Sequence, residues 1–287
     1  MYESDTIIRR IFLLRNLLST KLVNISVKLI GFSREHFDII KLDGRPLGKI
    51  RTSDTNAFII FTFKELKPRE EKRVSFKLIL RRKKKGSSTS LDFGVNEIPE
   101  KVRLRNIRIA SFYSTRRLRK TAARFLGKTH NVLELESHIL DFLQRNIKCR
   151  EDAPSNPLTI FQRNYGSPED IVFAFNVINM LIGLTVRTVS GFSIIRMGEE
   201  NIVKRWVWSE ILTPSGWVPI DPCKRVVLDI DDPTYIPIKL ESPFRKIRDV
   251  ETRYKTVKTT LRKGLEVIEE GTEIIVRSDG QLIKGKI

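Results

Sequence analysis

The stretch YGSPEDIVFAFNVINMLIG, residues 165–183, joins a helix start to a strongly apolar run. A serine hydroxyl at 167 can accept a backbone N–H as N-cap, proline tolerates the first helical position, and the acids that follow favour the positive end of the helix dipole. Apolar side chains then cover nearly every face up to Gly183, a residue type that commonly ends helices. The pattern predicts a buried central helix over 168–182.

Strand patterns follow this helix, and helical patterns precede it. Downstream lie the β-branched and aromatic runs LTVRTVSGFSII, NIVKRWVWSEIL and GWVPI, with a TPSG turn before the last. Upstream, STRRLRKTAARFLG and NVLELESHILDFLQRNI repeat apolar residues at helical spacing. Ser114 or Thr115 can cap the first of these helices, Gly127 can end it, and Asn131 can cap the second.

The N-terminal part has a different character. Residues 5–81 contain runs of strand type separated by turn-rich pieces such as LDGRPLG and KPREE, which predicts a small β-sandwich. The fold class is therefore α+β. The tail predicts a basic helix over 244–270 and a hairpin turning at Ser278–Gly280. The predicted units are a sandwich at 1–85, a basic linker at 86–104, a core at 105–242 and a basic C-terminal helix and hairpin at 243–287.

One known family shows the same order of motifs. The pieces PLTIFQRNYG, PEDIVFAFNVINMLIG, LTVRTVSGF, RWVWSEI and WVPIDP resemble, in that order, the transglutaminase-like superfamily, which has a papain-like core. The resemblance covers about residues 105–240. The strand-rich first 85 residues are similar to the Ig-like β-sandwich that often precedes such cores in prokaryotes.

The resemblance also locates the family's reactive positions. In that family a cysteine opens the central helix, a His-x-Trp-x-Glu strand supplies a histidine, and a Trp-x-Pro-x-Asp-Pro segment supplies an aspartate. Here these positions are Pro168, Trp206 and Asp221, so only the aspartate is present. Proline offers no nucleophile, and an indole donates a hydrogen bond but cannot accept a proton. The resemblance therefore implies a pseudoenzyme, with no catalytic residue and no cofactor.

An enzyme alternative would use Ser167 or Cys223 in a residual acyl-transferase or peptidase. Ser167 fits a capping role better, because the position of the general base is Trp206. Cys149 and Cys223 lie far apart and outside any CxxC or Cys/His cluster, so the sequence predicts neither a disulfide framework nor a zinc or other metal site. Both cysteines are expected to be small buried hydrophobes.

Composition limits the remaining classes. No apolar run reaches the roughly 18 residues that a membrane span needs, and the N-terminus lacks the pattern of a signal peptide. We therefore expect a soluble, cytoplasmic protein. The formal net charge is +19 and the pI is near 10.1, an excess that attracts polyanions. Nucleic acid, either DNA or structured RNA, is the expected partner.

The positive charge is concentrated in a few segments. Between residues 101 and 128 there are ten basic residues and no acid. Arg103 and Arg105 are expected on one face of an extended piece, whereas the cations from Arg116 to Arg124 have helical spacing. The predicted nucleic-acid contacts are Arg81, Arg82, Lys83, Lys84, Lys85, Arg105, Arg108, Arg116, Arg117, Arg119, Lys120, Arg124, Lys128, Arg253, Lys255, Lys258 and Arg262.

Two observations bear on this prediction without deciding it. No helix-turn-helix, RNP-type or zinc-finger motif accompanies the charge, so a scaffold that binds an acidic protein stays open. The eukaryotic DNA-damage recognition proteins of the xeroderma pigmentosum group C family look like a parallel case, since they resemble the same superfamily without its triad and act within a DNA-binding assembly. That parallel is made at the level of the fold, which does not by itself define a function.

Overall fold

The computed structural model describes residues 5–83, 90–229, 232–244, 250–256, 264–278 and 281–286. The N-terminal part is a two-sheet sandwich, as predicted. Its inward residues alternate along each strand, as in β1, where Ile8, Phe12 and Leu14 are buried. The strands are β1 (Asp5–Asn16), β2 (Leu22–Ser33), β3 (Phe37–Arg45), β4 (Lys49–Thr52), β5 (Asn56–Leu66) and β6 (Glu71–Arg82).

A helix lies where the sequence predicted a linker and an extended piece. Helix α1 spans Glu100–Tyr113, so the extended geometry expected at Arg103 and Arg105 is wrong. Residues 105 and 108 face solvent, whereas Asn106 and Ala110 are buried against the core. The buried positions of α1 are small or polar, which left the apolar periodicity too weak to recognise.

The next helices agree with the sequence prediction. Thr115 caps α2 (Arg116–Leu126), and its hydroxyl accepts the N–H of Leu118. Asn131 caps α3 (Val132–Asn146) in the same way. The connection to the central helix contains β7 (Lys148–Cys149), α4 (Ile160–Arg163) and β8 (Tyr165–Gly166).

Helix α5 (Pro168–Ile182) is the centre of the core. Thirteen of its fifteen residues are buried, and α1, α2 and α3 pack around it on the side away from the sheet. Gly183 ends the helix at a φ of +110°, and a side chain there would also collide with Arg103 of α1. The core sheet consists of β9 (Val186–Met197), β10 (Glu200–Thr213), β11 (Gly216–Asp221), β12 (Val226–Val227) and β13 (Tyr235–Glu241).

The C-terminal segment completes the sandwich and is not a separate helical unit. The predicted basic helix over 244–270 is wrong, because β14 (Val250–Thr256) and β15 (Leu265–Ser278) occupy its described part. β14 pairs with β2, and β15 pairs with β1 along its whole length. The two strands of the predicted hairpin are present, since β16 (Gln281–Lys286) pairs antiparallel with β15, and residues 279 and 280 of its turn lie outside the described residues. Pairing with an exposed sheet edge outweighed the helical charge pattern.

The sandwich and the core are held together by polar contacts as well as by a shared sheet. The Arg187 guanidinium on β9 binds Glu210 on β10 at 2.6 Å and Glu35 of the sandwich at 2.5 Å. The second oxygen of Glu210 lies 3.0 Å from His36 Nε2, and the ring of Trp217 covers the guanidinium. Because Arg187, Glu210 and His36 are buried, these contacts help to fix how the two parts meet.

Candidate functional site

The start of α5 is a complete helix cap. Ser167 Oγ accepts the N–H of Asp170 at 3.3 Å, and Asp170 Oδ2 accepts the N–H of Ser167 at 3.3 Å. Pro168 occupies the first helical turn, where a backbone N–H has no acceptor within the helix, so the lack of an N–H in proline costs no hydrogen bond. The serine that could have served as a nucleophile therefore satisfies the helix end.

Asp170 also anchors the loop that precedes the helix. Its carboxylate accepts a hydrogen bond from Ser155 Oγ at 3.0 Å and from the N–H of Asn156 at 3.1 Å. The Arg163 guanidinium lies 3.3 Å from the same side chain. Since Asp170 is fully buried, these contacts compensate its lost hydration and hold the loop against the helix.

The three positions implied by the family resemblance carry no acid–base pair. Trp206 Nε1 donates to Asp221 Oδ2 at 2.6 Å, and the Tyr235 hydroxyl donates to the same oxygen at 2.7 Å. Oδ1 accepts the N–H groups of Cys223 at 3.0 Å and Lys224 at 3.1 Å. Burial and the Asp221 carboxylate raise the pKa of Tyr235 well above its usual value, so the phenol remains a donor.

Lys224 covers this buried network from one side. Its Nζ lies 4.9 Å from the Trp206 ring centroid and 4.7 Å from that of Tyr235, and it donates to Ser193 Oγ at 3.1 Å. Burial lowers the pKa of Lys224, and the nearby Asp221 carboxylate partly opposes that shift. The Asp221 carboxylate therefore favours the charged form of Lys224, and the lysine nitrogen rests against two aromatic faces.

The two cysteines, which the sequence predicted to be unpaired, are joined to each other. Cys149 on β7 and Cys223 beyond β11 form a disulfide across 74 positions of sequence. The prediction of two unpaired buried hydrophobes is therefore wrong, and Cys223 is not a free thiol. No spacing motif could have revealed the bond, because only the fold brings β7 beside the end of β11.

A cleft of about 840 Å³ opens between the start of α5, the core sheet and the sandwich. Ser167 and Asp170 line one wall, Trp206 lines another, and Phe12 and Glu269 come from the sandwich. Among the described residues around it there is neither a cysteine nor a histidine. In the described part of the chain no three metal-ligating side chains converge either. The cleft can hold a ligand, and the residues that line it in the described structure include neither the thiol nor the imidazole that the family resemblance implies at the reactive positions.

A second feature lies on the helices. Nine cations of α1, α2 and the turn after α2 are exposed, and we call them together the α1–α2 basic surface. They are Lys101, Arg105, Arg108, Arg116, Arg117, Arg119, Lys120, Arg124 and Lys128. None forms an ion pair with any residue that the structure describes. Four of them, Arg116, Arg117, Lys120 and Arg124, line a concavity of about 450 Å³ together with Thr121.

The exposed cations of the sandwich have different surroundings. Several of its exposed bases pair with acids on neighbouring strands, for example Arg9 with Glu273 at 2.9 Å and Arg73 with Glu270 at 2.8 Å. These sandwich cations therefore have acid partners nearby, whereas the nine cations of the α1–α2 basic surface have none among the described residues.

Among the remaining predicted contacts, the three whose side chains the structure describes, Arg81, Arg82 and Lys83, lie on the sandwich and not on the α1–α2 basic surface. Arg82 donates to the Tyr235 carbonyl at 2.7 Å, and Lys83 binds Asp38 at 3.1 Å, so both have structural roles. Arg81 stands in register between Asp5 and Asp38 on the flanking strands. For Arg253 and Lys255 the structure describes only the backbone, in β14. Lys84, Lys85, Lys258 and Arg262 lie outside the described residues.

These features agree with the comparisons to known proteins. Residues 119–222 match the transglutaminase-like superfamily, so the chain contains a transglutaminase-like domain with an α+β core. The order of helix, strands and Trp-x-Pro-x-Asp-Pro segment read from the sequence is thereby confirmed. Among curated proteins, none shows significant sequence similarity. No helix in the described residues is long and apolar enough to cross a membrane.

Two solved structures are similar to this chain at low sequence identity. A candidate cysteine protease from Cytophaga hutchinsonii is 11% identical with a TM-score of 0.59, covering 100% of this chain and 98% of the other. The periplasmic domain of TgpA from Pseudomonas aeruginosa is 12% identical with a TM-score of 0.36, covering 74% of this chain and 86% of the other. The first match includes the sandwich, so the arrangement of the two parts occurs in another solved protein.

Proposed function

We propose that this protein is a catalytically inactive transglutaminase-like protein that binds nucleic acid through the α1–α2 basic surface. The observation that carries the proposal is the set of nine exposed cations without an ion-pair partner in the described residues. The like charges of such a surface repel one another, so binding a polyanion relieves that repulsion. Binding is further favoured because each neutralised phosphate of a nucleic acid releases condensed counterions.

The chemistry of the cleft supports the proposed inactivity. A thiol or hydroxyl nucleophile needs a base within hydrogen-bonding reach. Here the base position is an indole that donates to Asp221 at 2.6 Å, and the nearest candidate nucleophile, Ser167, caps α5. We therefore expect no labelling of the folded protein by an acylating active-site probe. Stoichiometric labelling of Ser167 would instead support a residual acyl-transferase or peptidase.

The test of binding compares two triple variants. Arg116→Gln, Lys120→Gln and Arg124→Gln remove three cations from the α2 concavity, while Arg9→Gln, Lys21→Gln and Arg73→Gln remove three paired cations from the sandwich. Both change the net charge equally. Each sandwich cation has an acid within 2.9 Å.

We expect the α2 variant to bind an oligonucleotide more weakly and to flatten the slope of log affinity against log salt by about 2 to 3 units, whereas the sandwich variant binds nearly as the wild type. Equal losses in the two variants would indicate that net charge alone matters. Absence of binding even at low salt would contradict the proposal. A pull-down of a defined acidic protein that survives nuclease treatment would then favour the scaffold alternative.

The cytoplasmic location expected from the sequence stays a prediction. A disulfide such as that between Cys149 and Cys223 is most common in oxidising compartments, although intracellular proteins of hyperthermophiles also contain them. The disulfide therefore occurs in proteins of both kinds of compartment, and the proposal of nucleic-acid binding does not depend on the compartment.

A further inference from the structure

Helix α1 exposes large apolar side chains among its cations. Leu104 is 58% exposed, Ile109 is 38% exposed and Phe112 is 80% exposed. They share the outer face of α1 with three members of the α1–α2 basic surface, because positions three and four apart on a helix are neighbours. A surface that contacted only phosphates would need the cations but not the apolar groups, so the face is suited to a ligand with both anionic and apolar parts.

Phe112 differs from the aromatic residue next to it. The Tyr113 ring stacks on Phe244 with centroids 4.2 Å apart and meets Phe173 edge-on at 6.4 Å, so it is already packed. Phe112 makes no ring contact with any described residue. Its ring is therefore free to stack on a flat partner from outside the chain.

The concavity on α2 lies close to Phe112 along the chain. Arg116 follows it by four residues, so the two Cα atoms are at most about 14 Å apart. Within the concavity Arg117 is already oriented, because it donates to Asn146 Oδ1 at 2.7 Å and to the Phe161 carbonyl at 3.3 Å. A pre-oriented guanidinium beside three further cations is suited to a phosphate group.

We infer that the ligand of this surface is single-stranded nucleic acid, with one base stacked on Phe112 and a neighbouring backbone phosphate in the α2 concavity. The inference rests on the proposed function and narrows it. In a duplex the base faces are stacked on each other and inaccessible to a protruding ring, whereas every unpaired base offers a face. The exposed Phe112 therefore favours single strands over duplexes.

The experiment measures affinities for single-stranded DNA and RNA and for a duplex of the same length. The variants are Phe112→Ala, Phe112→Trp and, as a matched control, Leu133→Ala, which truncates an apolar side chain that is 50% exposed on α3. We expect Phe112→Ala to weaken single-strand binding about tenfold or more, Phe112→Trp to retain it, and Leu133→Ala to leave it unchanged. Duplex binding should be weaker and insensitive to Phe112.

The other outcomes of this experiment would refute either the single-strand inference alone or the proposed function as well. Salt-dependent binding that prefers duplex, or that ignores Phe112→Ala, would refute the single-strand inference and leave the proposed function intact. Absence of binding to every oligonucleotide would refute both. Sedimentation with phosphatidylglycerol vesicles without any oligonucleotide binding would assign the same cationic and apolar face to an anionic membrane, and would also refute both.

Discussion

Glu136 is a carboxyl group buried inside the transglutaminase-like core, and replacing it with glutamine tests the packing of α3 against α5. The side chain is 1% exposed, and its described contact is a 3.4 Å hydrogen bond from Asn179 Nδ2. Burial raises the pKa of Glu136 from 4.5 to about 8, and the Asn179 amide opposes that shift. The group is therefore neutral in the folded protein near neutral pH.

The direction and size of the pH effect follow from this shift. Between pH 4.5 and about 8 the folded state keeps a proton that the unfolded state has released. The contribution of Glu136 to stability is therefore most favourable below pH 4.5, falls as the pH rises towards 8, and levels off above it. At about 1.4 kcal/mol for each pKa unit, the shift removes on the order of 4 to 5 kcal/mol from the free energy of unfolding.

The assay is denaturant unfolding of the wild type and of Glu136→Gln across this pH range. Glutamine keeps the shape and an acceptor for Asn179 but cannot ionise. We expect the variant to gain several kcal/mol relative to the wild type as the pH rises. Glu134→Gln, on the exposed face of the same helix, is the control and should show no such trend. A wild-type to Glu136→Gln difference that stays constant with pH would refute the reasoning.

Three further predictions concern the degenerate site. Trp206→Phe removes the indole donor from the buried Asp221 carboxylate and should destabilise the protein by about 1 to 3 kcal/mol in denaturant unfolding; an unchanged midpoint would show that water replaces the indole. Ser167→Ala should cost about 1 kcal/mol through loss of the α5 cap, and Ser167→Asp should restore most of it; a neutral Ser167→Ala would deny the hydroxyl that role. Unfolded, unreduced protein should take up iodoacetamide at neither Cys149 nor Cys223 and at both after reduction, as read by mass spectrometry; alkylation before reduction would contradict the disulfide.

The parts of the fold that the sequence predicted best have local signals. The caps at Thr115, Asn131 and Ser167 lie where their side chains satisfy backbone N–H groups at the helix starts, and Gly183 ends α5 in a left-handed conformation that favours glycine. Helix α1 lacked that signal, since Pro99 precedes it without a side-chain cap and its buried positions are Asn106 and Ala110.

The parts that could not be predicted depend on distant partners. The helical charge spacing in the tail has no effect once β14 and β15 find the free edges beside β2 and β1. The bond between Cys149 and Cys223 depends on tertiary contacts across 74 positions. The same holds for the cations: Arg82 and Arg117 look alike in sequence, but the first joins the sandwich to the core through the Tyr235 carbonyl, while the second lines the exposed α2 concavity.

The claim that the α1–α2 basic surface binds nucleic acid is tested most directly by the salt dependence of wild-type affinity for an oligonucleotide. If several phosphates are neutralised, log affinity falls linearly with log salt concentration, at about 0.7 units per phosphate for a single strand and 0.9 for a duplex. We predict a slope equivalent to at least four contacts, matching the four cations of the α2 concavity. An affinity that does not change with salt, or no measurable binding at low salt, would contradict the account.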